Sequence, residues 1–93
     1  MIVGVLTLEI DIESAYSLKE KRAVLNRIRD RVRNTFNVAI AEVDDNEVWN
    51  HACLGVVTIS NDQRHANEML SKVVEFVQEI RDCELDDYSL DFF

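Results

Sequence analysis

The strongest constraint on this chain is a change of hydrophobic period. Residues 2–12 place Ile2, Leu6, Leu8, Ile10 and Ile12 on one side against Val3, Val5, Thr7, Glu9 and Asp11 on the other. That is the period-two pattern of a strand with one face in a core. From Leu18 the spacing lengthens, and Leu18, Leu25, Ile28, Val32 and Phe36 fall along one stripe of a helix. Ser17 and Glu20 form the S-x-x-E pattern of a capping box, which sets the helix start. A strand followed at once by an amphipathic helix commits the chain to packing helix on sheet.

The switch then repeats. Val38 to Val43 is short and apolar, Asp44, Asp45 and Asn46 make an acidic turn, and Trp49 to Ser60 is a second extended run, which together predict a hairpin. Asn61 and Asp62 offer capping side chains to a helix with the stripe Ala66, Met69, Leu70, Val73, Phe76, Val77, Ile80. Tyr88, Leu90 and Phe92 alternate with Ser89 and Asp91 in a last strand. The order β, α, β, β, α, β predicts a single ferredoxin-like α+β domain over residues 1–93, a four-stranded antiparallel sheet with two helices on one face.

With no proline and only Gly4 and Gly55, nothing divides the chain into linkers or repeats. Cys53 and Cys83 lack the close spacing of a zinc or redox pair, which fits a reduced, cytoplasmic setting. The opening MIVGVLTLEID has no basic leader and meets acids at Glu9 and Asp11. It therefore reads as the start of a soluble protein with no membrane partner.

A sheet with helices on one face leaves the other face open. In the third strand both alternating sets are apolar, Ala52, Leu54 and Val56 on one side and Cys53, Val57 and Ile59 on the other. A central strand that is apolar on both faces calls for a cover, and in so short a chain a second copy, hence a homodimer through the sheet, is the expected one.

Charge is distributed as unevenly as hydrophobicity. The net charge is −8, yet seven of the ten Lys and Arg residues lie between Lys19 and Arg33. Lys19, Arg22, Asn26, Arg29 and Arg33 share one flank of the first helix. Arg29, Arg31 and Arg33 sit in its last turns, where the helix dipole favours cations by about 0.3 to 1 kcal/mol each. Lys19, Lys21 and Arg22 sit in the first turns, where it disfavours them, and a local choice that opposes stability points to a role. Lys19, Lys21, Arg22, Arg29 and Arg33 are therefore the candidate contacts to an RNA backbone. The competing reading pairs the front cations with Glu9, Asp11 and Glu13 inside the molecule. The acidic remainder of the chain also opposes long-range steering toward RNA.

Other chemistry is thin. RNA-recognition sheets of this topology stack bases on aromatics of the first and third strands, and these strands offer only Trp49, at the edge of the third. Trp49 is a core residue or an anchor for a partner. An acylphosphatase needs an Arg-bearing, glycine-containing phosphate loop where this chain has ESAYS. His51 and Cys53 lie two apart on one strand face, but two ligands do not make a metal site. No nucleophile, base and anion hole can be assembled, so catalytic residues, metal and cofactor are all expected to be absent. Gly55 inside a strand marks a bulge or close backbone approach.

Several of these pieces occur together elsewhere. Ser17-Leu18-Lys19, Lys21-Arg22, Phe36-Asn37-Val38, Ala41-Glu42-Val43, Trp49, Leu54-Gly55-Val56 and Ser60-Asn61-Asp62 resemble, in order and spacing, the YlxP-like family of small bacterial proteins of unknown function. The resemblance covers nearly the whole chain. It implies a ferredoxin-like fold, no known catalysis or cofactor, and a gene set among those for translation initiation and ribosome maturation factors. The expectation is a non-enzymatic accessory protein of ribosome maturation or translation that binds RNA or a ribosomal particle through its first helix. The alternative is an acidic homodimeric interaction module with a basic protein partner.

Overall fold

The computed structural model describes residues 1–44 and 47–93. The chain runs β1 (Ile2–Asp11), α1 (Leu18–Thr35), β2 (Ala39–Asp44), β3 (His51–Ser60), α2 (Gln63–Gln78), β4 (Glu84–Phe92). The strands form one antiparallel sheet in the order β2-β3-β1-β4. This is the ferredoxin-like α+β arrangement that the alternating periods predict.

The period-two pattern of β1 becomes a two-faced strand. Leu6, Leu8, Ile10 and Ile12 are fully buried, together with Leu54 and Val56 of β3 and Leu70, Val73 and Val77 of α2. At Gly4 the sheet and α2 approach so closely that a Cβ there would stand 2.9 Å from Leu70 Cδ1. Val24, Leu25, Ile28 and Val32 bring α1 onto the same core. Phe36 and Phe76 meet edge to face, ring centroids 5.5 Å apart, where the two helices converge.

Caps fix both helix starts. Ser17 Oγ accepts the Glu20 N–H at 3.2 Å, while the Glu20 carboxylate takes the Ser17 hydroxyl at 3.4 Å in place of its backbone N–H. Asp62 accepts the Arg64 N–H at 3.0 Å at the start of α2.

Two strand starts differ from the sequence reading. Strand β3 begins at His51, which leaves Trp49 in the connecting loop. Strand β4 begins at Glu84, before the Tyr88 alternation, because its pairing with β1 slips between Glu9 and Ile10. The slip lets Leu85 pack on the core out of phase with Leu90 and Phe92, which hides the strand's front half from a period-two reading. Strand β2 carries a second irregularity between Glu42 and Asp44. There Val43 folds over Gly55, and a Cβ at Gly55 would lie 3.0 Å from Val43 Cγ1, so this glycine marks both a bulge and a close approach. The remainder of the expected acidic turn, Asp45 and Asn46, lies outside the described residues. Among the described residues no helix is long and apolar enough to cross a membrane.

Candidate nucleic-acid interface on the first helix

The first helix does not present its cations uniformly. Lys19 and Arg22 are exposed, Arg29 is half-buried and donates to Asn26 Oδ1, and Arg33 is exposed and donates to the Ile40 carbonyl at 3.2 Å. Helical spacing places these four on one flank. Arg27, on another side, donates two hydrogen bonds to Asp82 Oδ2, at 3.1 and 2.9 Å. Among the described residues Lys19 and Arg22 make no ion pair, and the expected internal pairing with Glu9, Asp11 and Glu13 is not what the structure shows for them.

Lys21 leaves the set. It is 1% exposed, the bulkiest of the fully buried side chains, with its ammonium 2.8 Å from Glu42 Oε2 and donating to the Val48 carbonyl. A phosphate cannot reach it, so its place among the nucleic-acid contacts is corrected. The reason is helical phase. The apolar stripe steps seven residues from Leu18 to Leu25, and position 21 fills the gap. Its stem packs among apolar neighbours while its head is neutralised by a carboxylate on the helix side of β2.

Through Glu42 and the Val48 carbonyl, Lys21 ties α1 to β2 and to the segment that carries Trp49. Tyr16, just before the Ser17 cap, is 72% exposed, and Trp49 is 45% exposed; their rings meet edge to face with centroids 6.4 Å apart. Trp49 is thus a surface residue beside the helix start, not a core residue. Sequence reasoning missed Tyr16, because its partner comes from a loop 33 positions further along.

The acids of β1 are engaged on the face away from the helices. His51 pairs with Asp11 across the sheet and lies beside Glu9. Its Nδ1 is 2.7 Å from Asp11 Oδ1 and its Nε2 is 2.6 Å from Glu9 Oε2. With both carboxylates ionised and so only accepting, the ring can fill both contacts only as an imidazolium donating from each nitrogen. Its pKa is raised by the hydrogen bonds to Asp11 and then Glu9, against a smaller opposing effect of burial. Both nitrogens are occupied, and among the described residues no group of three or more His, Cys, Asp and Glu side chains is placed to hold a metal. The Cys83 thiol is pushed up to about 11, first by burial and then by nearby Asp82, so it stays protonated at neutral pH.

Residues 3–90 match the family described as a protein of unknown function, DUF503. The chain belongs to that family. It is also 36% identical over 83 residues to the uncharacterized protein YlxP of Bacillus subtilis (strain 168), an alignment covering 89% of this chain and 90% of that one. The match to DUF503 spans both the basic flank of α1 and the Lys21–Glu42 pair.

Proposed function

We propose that this protein is a non-enzymatic accessory factor that contacts RNA or a ribonucleoprotein particle through the exposed flank of α1, with a place in cytoplasmic ribosome maturation or translation. The observation that carries the reading is the placement of Lys19 and Arg22. Both are exposed at the end of α1 where its dipole disfavours cations, and neither is paired with an acid among the described residues. Arg29 and Arg33 continue the stripe, and the Tyr16–Trp49 pair lies beside its start, where an unpaired base can stack. Four phosphate contacts give a slope of log K against log salt between about −2.8 and −3.6. Binding of ribosomal subunits and of bare structured RNA across a salt series tests this. The Lys19→Glu/Arg22→Glu variant is expected to show a slope shallower by about 1.4 to 1.8. Equal slopes for the two proteins would refute the contact.

A second reading is favoured by one surface feature. A cavity of about 460 Å³ has in its lining the acids Asp11, Glu13, Glu79, Asp82 and Glu84 against one base, Arg81. It suits a basic segment of a protein partner, in which case the cations of α1 are bystanders and the double reversal leaves particle association intact. In either reading the working unit is a homodimer.

A further inference from the structure

The face of the sheet turned away from the helices has no cover within the chain. Val3 and Val5 of β1 lie on it half-buried, and Ala41 and Val43 of β2 and Val57 and Ile59 of β3 lie on it exposed, Ile59 to 66%. By register these residues are neighbours: Val3 faces Ile59, Val5 faces Val57, and Ala41 faces Gly55 with Val43 folded over it. They form one patch across β2, β3 and β1. Charge is confined to its borders, with Glu9, Asp11 and His51 at the far end of β1 and Asp87 and Asp91 along β4.

We infer that this patch is the surface through which two copies of the chain associate, sheet against sheet, burying the apolar β2–β3–β1 area of each on the other. The inference rests on the dimeric unit proposed above and not on the RNA contact. Strands β2, β3 and β1, of six, ten and ten residues, about 4.8 Å apart and rising about 3.3 Å per residue, present a face of about 400 Å² before corrugation. That is about half of the roughly 800 Å² per partner of a standard interface, which places the contact at the weak, low-area end. The placement of charge selects a like surface as the occupant. A two-fold axis lying between the sheets and running across the strands sets valine on valine. It also sends the two Glu9–Asp11 ends to opposite ends of the contact, while β4 lies over the partner's β4 and its Asp87 and Asp91 stay at the solvent-exposed edge, outside the apolar area. A basic partner would find its counter-charge only at the border, and an RNA would find an apolar and acidic surface. The resulting particle has four layers, helices outermost, with the α1 flanks on its two opposite outer faces.

Sedimentation velocity of the full chain from about 1 to 200 µM, with parallel circular-dichroism melts, tests the surface. The wild type is expected to sediment as a dimer at the upper concentrations, more so at high salt because two chains of charge −8 repel less when screened. Ile59→Asp and Ile59→Lys are both expected to weaken the dimer by at least about 100-fold while matching the wild-type melt at the lowest concentrations, where variants and wild type are all monomers, because the side chain is solvent-facing in the single chain. Two variants of opposite charge separate loss of the apolar contact from a change in net charge. A wild type that remains monomeric at 200 µM overturns both the dimer and the surface. A dimer that survives both substitutions overturns the surface alone. Neither result bears on the salt slope of RNA binding.

Discussion

On its helix-covered side the sheet buries Leu6, Leu8, Ile10, Leu54 and Val56 completely, and a cation that enters there, Lys21, is held on Glu42 with almost no access to water. On its open side Val43, Val57 and Ile59 are exposed, and the ionic group, His51 between Asp11 and Glu9, keeps partial contact with solvent. Both sides use opposite charges at close range, but the cost of desolvation differs. On the covered side, loss of one partner strands a charge in an apolar surround. On the open side, water replaces the lost partner. Similar distances, 2.8 Å for Lys21 and 2.6 to 2.7 Å for His51, therefore carry very different weight.

The contrast is easiest to break at Lys21. Lys21→Ala leaves the Glu42 carboxylate without its counter-charge and opens a cavity beside Leu25. Urea unfolding is expected to show a loss of about 3 kcal/mol. Replacing both partners by apolar residues, Lys21→Met with Glu42→Leu, is expected to recover most of that loss, to within about 1 kcal/mol of wild type. If the double variant is as weak as the single one, the pair supplies a specific structural tie that apolar packing cannot replace.

The two glycines sharpen the comparison at a smaller scale. Gly4→Ala drives a Cβ to 2.9 Å from Leu70 Cδ1 between two packed layers, and thermal unfolding is expected to show a loss of about 1 to 2 kcal/mol. Gly55→Ala meets Val43 Cγ1 at 3.0 Å, but Val43 is exposed on the open side and can turn aside, so its effect is expected to stay within about 0.5 kcal/mol. Equal costs at the two positions would mean that the open side is packed as tightly as the covered one.

The smallest effect is a dependence on pH. His51 has a raised pKa in the folded protein, so its stabilisation is fully present below the unfolded value of about 6.5 and fades as pH rises through the folded value. Comparing wild type with His51→Gln by denaturation from pH 5.5 upward is expected to show a wild-type advantage of about 0.5 kcal/mol at the acid end that vanishes toward alkaline pH. A pH-independent difference would assign the residue to packing alone.

Much of this architecture is visible in the sequence because each element keeps its period where it touches the core. The alternation of β1, the Ser17 cap and most of the α2 stripe survive, although Ile80 falls beyond the helix end at Gln78 and Val74 joins the buried side. The front of β4 was not legible, because a slipped register puts Leu85 out of phase with Leu90. The candidate interface was legible only in part. Lys19, Arg22, Arg29 and Arg33 follow from helical spacing. Lys21 is one residue from Arg22 in sequence but a hundred degrees away around the helix, on the buried stripe. The seven-residue step from Leu18 to Leu25 held that information, and Glu42, two positions after inward-facing Ile40, supplied the other half. The His51 cluster depends on the cross-strand register of β1 and β3, which no local pattern encodes.

The enclosure of Lys21 also gives the protein an internal clock. The chain has three lysines, Lys19, Lys21 and Lys72, and the first and last are exposed. A small amine-acylating reagent will modify those two at the pace of free chemistry. Lys21 reacts only when the first turn of α1 lifts from β2, so its labelling half-life, read by peptide mass, measures how often that end of the helix opens.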